Sequence, residues 1–225
     1  MTTGSPGRLW RQLQGDALFA YTRIVTRTAH FNVEGWEHLE AAQKTGRPLL
    51  WSLWHEQVMN FLVFGDRHFD AADFVAVTVG DTRGDTLGTV AERLGGKPIL
   101  VDMQGNPVAA GRAVVRVIQA MRSGKQTLIA PDGPDGPVFE PKGGVAVLAK
   151  KAEAAILPIG IYARHAYRLD RWDRYQVPYP FAHLDVAIGL PLLVSRDTEQ
   201  EALLDEISSL LHRMRDRARE MGGVA

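Results

Sequence analysis

Short apolar runs of strand length, alternating with amphipathic stretches of helical length, predict an α/β fold: a single-domain sandwich of helices around a largely parallel or mixed central sheet. Three observations carry that reading. The runs "LLWSLW", "FVAVTV" and "AILPIGIYA" are continuously apolar, as strands covered on both faces are. The segments between them repeat hydrophobic residues at helical intervals and stop at glycine. A chain of 225 residues suits one compact domain with a substantial core.

Residues 1–30 predict an amphipathic helix. Within "RLWRQLQGDALFAYTRIVTRTAHF", Leu9, Trp10, Leu13, Ala17, Tyr21, Ile24 and Val25 fall at helical spacing among Arg8, Arg11, Arg23 and Arg27. Such a helix can pack on the domain's own core or lie on an anionic lipid surface, and the spacing leaves both open. Residues 31–225 make the α/β body. "NVEGWEHLEAAQKTG" reads as a strand edge and a helix ended by Gly46, "RPLLWSLW" as a strand and "HEQVMNFLVFG" as its helix. "DFVAVTV" is rich in β-branched residues and precedes a helix near 84–94 closed by Gly95 and Gly96. Strand "KPILV", helix "PVAAGRAVVRVIQAMRSG" with its leading proline, and strand "QTLIA" repeat the pattern. A helix over about 143–154, the strand "AILPIGIYA", a polar and aromatic connection over 164–182, the strand "HLDVAIG" and a charged helix from about 197 complete it.

Composition narrows the chemistry. Basic and acidic residues balance at 26 each, so no global field draws the chain to nucleic acid. The absence of cysteine removes disulfides, thiolate nucleophiles and zinc-thiolate sites. No run approaches the roughly 18–20 apolar residues that span a bilayer, and no apolar signal-peptide stretch opens the chain. The expectation is a cytoplasmic protein that does not cross the membrane.

In parallel sheets, function gathers where connections leave the carboxyl ends of strands. Three groups fall there: His55 with Glu56, then Asp81, Arg83 and Asp85, then the loop from Asp132 to Lys142. His55 follows a buried strand and opens a helix, which suits a general base whose tautomer a neighbour fixes; a histidine that only caps the turn fits the same position. The remaining six, His30, His38, His68, His165, His183 and His212, are scattered and form no HExxH or other metal-ligand spacing. The loop "PDGPDGP" is a rigid double turn, because proline restricts φ and glycine admits conformations other residues avoid. Asp132 lies nearest the strand end and is expected to face the crevice, with Asp135 further out. Lys142, with the Gly143 and Gly144 amides, opens a helix in a way that suits an anion.

These residues, in this order, resemble the lysophospholipid acyltransferase superfamily, also called the glycerol-phosphate acyltransferase type, and within it a bacterial, largely uncharacterised branch with a "PDGPxGP" motif. The elements that carry the likeness are Trp54 with His55, "TRGDTLGTVAERLGG", Pro131 to Pro137, "AILPIGIYA" with Pro158, and "RLDRWDRYQVPYPF", so it runs from about residue 30 to residue 192. The resemblance implies an acyltransferase domain over 31–225 with the corresponding α/β fold, in which His55 deprotonates an acceptor hydroxyl that attacks the thioester of acyl-CoA or acyl-carrier protein. It implies no metal and no cofactor beyond that acyl donor, a lysophospholipid or related amphipathic acceptor, and peripheral attachment to the inner face of the cell membrane. The superfamily's base motif is HxxxxD, whereas position 60 here is Asn60. Another carboxylate is therefore expected to orient the imidazole, from among Glu56, Asp85 and Asp132, with Asp132 favoured. Asn60, Glu56, Arg83, Asp85, Gly133, Pro134 and Lys142 are expected to line the substrate site. Asp135 stands where relatives commonly carry an arginine. A homologue that binds lipid without turnover, and a metal-dependent phosphoesterase built on His55, Asp81, Asp85, Asp132 and Asp135, are the rival readings.

Overall fold

The computed structural model describes residues 6–79, 82–101 and 106–224, with the backbone alone at 6–9, 11, 79, 82–87 and 107. Helices α1 (Pro6–Thr28), α2 (Trp36–Lys44), α3 (Val58–His68), α4 (Thr82–Arg93), α5 (Pro107–Arg122), α6 (Gly143–Ala152) and α7 (Gln200–Met221) alternate with strands β1 (His30–Glu34), β2 (Leu49–Ser52), β3 (Phe74–Val79), β4 (Lys97–Val101), β5 (Gln126–Ile129), β6 (Ala155–Ala163), β7 (Ala166–Arg168), β8 (Gln176–Pro178), β9 (His183–Ile188) and β10 (Leu192–Leu193).

The main sheet runs β1-β9-β6-β2-β5-β3-β4, with β10 beside β6. Its β6-β2-β5-β3-β4 stretch is parallel throughout, and so is the β1–β9 pair; β9 and β10 both meet β6 antiparallel. The expected α/β class with a largely parallel, mixed sheet is the observed one. The polar and aromatic connection over 164–182 has structure of its own: β7 and β8 form a separate antiparallel pair inside it. Strands of three residues are too short to display a period of two.

The continuous apolar runs are explained by helices on both faces. Trp51 of β2 and Leu157, Ile159 and Ile161 of β6 pack in one core with Phe61 and Phe64 of α3. Their sequence neighbours Leu50 and Ile156 turn the other way, into a second core with Val117 of α5, Ala149 of α6 and Ile207 of α7. Successive side chains on a strand point to opposite faces, so both parities must be apolar here.

Helix α1 packs against α3 and α4. Val25 and Thr22 on its inner side are fully buried, while Trp10, Leu13 and Ile24 are exposed along the outer side. Both roles open to this helix therefore remain physically available on different faces of it. No helix among the described residues is long and apolar enough to cross a membrane.

Candidate active site

Because β2 and β5 are parallel neighbours, the loops that follow them leave the same edge of the sheet, and the two are stitched there by Ser52, whose hydroxyl donates to the Ile129 carbonyl at 3.1 Å. Beyond β2, Trp54 stays extended and His55 opens a single 3₁₀ turn that leads into α3. Beyond β5, the Asp-Gly-Pro loop folds back over that turn. Asp132 is fully buried and accepts from the His55 backbone N–H at 2.9 Å through one oxygen and from the Phe139 N–H at 3.2 Å through the other. Burial pushes its titration above the usual carboxylate range, against the downward pull of the His55 and Phe139 amides.

The two glycines explain the loop's composition. A Cβ on Gly133 would come within 2.5 Å of the His55 ring carbon Cδ2, so the backbone lies directly against the imidazole. Gly136 has φ 75°, in the left-handed region, and a Cβ there would press on the Trp172 ring at 2.8 Å. Both Gly-Pro bonds, Gly133–Pro134 and Gly136–Pro137, are cis. Lys142 donates from Nζ to the Gly133 carbonyl at 3.2 Å, which ties the start of α6 to the same turn. Gly133 is thus brought to the histidine, Lys142 is bonded to that glycine, and Pro134 follows it in the same turn.

The carboxylate on the imidazole is Asp173, from the segment between β7 and β8. Its Oδ2 lies 2.6 Å from His55 Nδ1. The Asp173 side chain is 0% exposed, against 19% for His55. Arg171 grips both of its oxygens, Nε to Oδ1 at 2.7 Å and Nη2 to Oδ2 at 2.8 Å, and the Tyr175 N–H adds a third donor at 3.2 Å. A buried carboxylate needs such compensation, and a bidentate guanidinium supplies both charge and geometry. With Nδ1 engaged by an acceptor, the neutral ring carries its proton there and turns its lone pair out at Nε2. Nε2 has no hydrogen-bond partner among the described residues. The Trp172 and Tyr175 rings flank the imidazole, with centroids at 5.4 and 5.7 Å. Burial, with a contribution from Asp173 and against Arg171, raises the Tyr175 phenol well above its ordinary range, so it stays protonated.

The sequence expectation for the orienting acid is corrected accordingly. Asp132 fixes backbone, not the ring. Glu56 is turned away to α7, where Arg215 Nε meets its Oε1 at 2.7 Å. Asn60, within α3, donates from Nδ2 to the Ile161 carbonyl and to Gln176 Oε1, both at 3.1 Å, and does not touch the imidazole. The side chains of Arg83 and Asp85, like residue Asp81, lie outside the described residues. Asp173 is hidden in "RLDRWDRYQVPYPF", where arginines and aspartates in alternation read as a solvated charge run. Its one sequence signal is Arg-x-Asp beside aromatic residues, a spacing that lets an arginine chelate the aspartate two positions on. No group of three or more His, Asp or Glu side chains suited to a metal ion occurs among the described residues.

An apolar cavity of about 160 Å³ lies beneath α3, lined among others by Val58, Phe61, Leu62, Phe74, Val77 and Leu94. Val58, which lines it, follows His55 by three residues, at the point where the 3₁₀ turn leads into α3. The cavity follows α3 as far as Asp66, about 12 Å further at 1.5 Å per residue. Asp66 pairs there with Arg23 of α1 through Oδ1, while its buried Oδ2 has no hydrogen-bond partner among the described residues.

No family model matches the chain. A protein of Rickettsia prowazekii (strain Madrid E), itself uncharacterized, is 27% identical over 114 residues, which is 51% of this chain and 51% of that protein, so the match spans about half the length of the curated relative. Among solved structures, the crystal structure of the 1-acyl-sn-glycerophosphate (LPA) acyltransferase PlsC from Thermotoga maritima matches with a TM-score of 0.61 at 15% identity, covering 92% of this chain and 80% of that one. At that identity the likeness is one of fold: the mixed α/β architecture with its largely parallel sheet is similar to that of the PlsC acyltransferase.

Proposed function

We propose that the chain is an acyltransferase that moves a fatty acyl group from the thioester of acyl-CoA or acyl-carrier protein to the hydroxyl of a lysophospholipid or related amphipathic alcohol. The observation that carries the reading is the His55 ring, held at Nδ1 by buried Asp173 and open at Nε2, on the turn that leads into α3, a helix that lines an apolar cavity. The likeness of fold to an LPA acyltransferase supports it. In the reaction, Nε2 takes the acceptor hydroxyl's proton as its oxygen attacks the thioester carbonyl. The carbon–oxygen bond forms, the carbon–sulfur bond breaks, and the imidazolium proton leaves with the thiolate. Asp173 offsets the charge that the ring carries in between.

The cavity favours an acyl chain because each methylene removed from water contributes about 0.8 kcal/mol. The exposed Trp10, Leu13 and Ile24 on α1, with Arg27 beside them and no ion-pair partner for Arg27 among the described residues, fit a peripheral seat on an anionic bilayer surface on the cytoplasmic side. A membrane-bound acceptor then reaches the site without crossing water.

The test is acyl transfer from both donors to a panel of lysophospholipids and other amphipathic alcohols. His55→Ala is expected to lower kcat by about 10²–10⁴-fold, the usual share of a general base. Equal rates in wild type and variant reject the assignment. Lipid binding with no turnover by wild type in the whole panel would replace it with a lipid-binding role.

A further inference from the structure

We propose that Asn60, which stands where the resembled superfamily carries its dyad aspartate, is a positioning residue for the replacement acid: through Gln176 it holds the strand that delivers Asp173 to His55. The inference rests on the acyl-transfer reading and deepens it. Asn60 and Gln176 are both buried. The Asn60 amide donates in two directions, to the Ile161 carbonyl on β6 and to Gln176 Oε1 on β8, each at 3.1 Å. Gln57, at the entry to α3, accepts from the Ile161 N–H at 3.1 Å, so the two side chains clasp one residue of β6 from both its polar groups.

The strand so held needs holding. Strands β7 and β8 have three residues each and join no strand of the main sheet. An isolated two-stranded ribbon is marginal in water. Gln176 opens β8 only three residues after Asp173, so its bond to Asn60 is the tie to the body nearest the acid on that side. The other tie on β8, from Tyr21 Oη to the Pro178 carbonyl at 2.9 Å, lies two residues further on.

Asn60 Oδ1 is buried without a hydrogen-bond partner among the described residues. The two groups that Asn60 binds, the Ile161 carbonyl and Gln176 Oε1, are both acceptors. An aspartate at 60 would meet the Ile161 carbonyl where the amide now donates, and would gain a donor only if the Gln176 amide turned over and gave up its present bond. Restoring the superfamily's acid is expected to undo the dyad instead of reinforcing it.

The experiment compares Asn60→Asp, Asn60→Ala, Gln176→Ala and the Asn60→Ala/Gln176→Ala double variant with wild type, Asp173→Asn and Asn60→Asp/Asp173→Asn. Three readouts are taken: kcat and KM for acyl transfer, the far-downfield proton resonance of the His55 Nδ1–H bonded to Asp173, and thermal unfolding. Asn60→Asp and Gln176→Ala are each expected to lower kcat by about tenfold or more through misplacement of the dyad, with KM little changed and the resonance weakened. The two alanine losses should fail to add, because both break one link. Wild-type or higher kcat in Asn60→Asp overturns the proposal, as does recovery of resonance and turnover in Asn60→Asp/Asp173→Asn. Should Asn60→Asp not fold, the alanine variants decide: an undiminished resonance in both is equally fatal. If wild type transfers no acyl group at all, the functional reading fails, while the resonance still tests Asn60.

Discussion

Two loops each bring a buried aspartate to His55, and the difference between them separates the one that holds the backbone from the one that meets the ring. Asp132, on the Asp-Gly-Pro loop, accepts from two backbone amides, one on each oxygen. Asp173, between β7 and β8, has a guanidinium across both oxygens, a further amide on Oδ1, and the imidazole on Oδ2. Equal burial thus serves two ends. A carboxylate ringed by amides pins the backbone of a turn. One backed by an arginine keeps its charge compensated beside a ring that becomes charged in the proposed reaction, and so suits a transient imidazolium.

The sharpest way to break this contrast is the amide substitution at each aspartate. Asp173→Asn is expected to cost about 10⁴-fold in kcat, by analogy with the same change in the serine-protease triad, with KM nearly constant in steady-state kinetics. A loss below tenfold would return the orienting role to another residue. Next in size is Gly133→Ala. Its methyl would sit within 2.5 Å of His55 Cδ2, so the ring must move, and a displacement of that order costs about 10²-fold in kcat/KM. Unchanged kinetics there would mean that the loop, not the ring, gives way.

Asp132→Asn should do the converse of Asp173→Asn, removing one of two amide acceptors from a buried site. The expected cost is about 1–3 kcal/mol in denaturant unfolding, with kcat reduced far less than in Asp173→Asn. The pH dependence sharpens this. Asp132 titrates above its ordinary value because it is buried, so its contribution is full below the unfolded value and is lost as pH rises through the folded one. Wild-type stability minus that of Asp132→Asn should therefore decline with pH across the window just above the usual carboxylate range. A difference that rises there would mean that the amide bonds outweigh burial.

How much of this is legible in the sequence differs element by element. Strands β2, β3, β5 and β6 are plain because burial on both faces demands unbroken apolar runs. His55 can be singled out from its place after β2, and the Asp-Gly-Pro loop from its proline and glycine content, which admits few conformations. The role expected of Asp132 is wrong because a carboxylate that the sequence brings near a histidine can meet either the ring or the peptide N–H, and only coordinates distinguish them. Asp173 is not foreseeable in this way. It is 118 positions from His55, on a connection without periodicity, and its pairing with Arg171 is invisible until the short β7–β8 ribbon folds.

The amino-acid sequence by itself determined the α/β class, the strand runs that form the parallel sheet, and the placing of a histidine and a stiff turn at the carboxyl ends of its strands. These follow from local rules, namely which residues tolerate burial on two faces and which tolerate unusual backbone angles. Tertiary structure decided which acid meets the imidazole, the antiparallel placing of β9 against β6, and the conversion of Asn60 from an apparent lost acid into a buried tie. Those depend on distances between remote segments, and a hydrogen bond of 2.6 Å between residues 55 and 173 leaves no trace in the spacing of either.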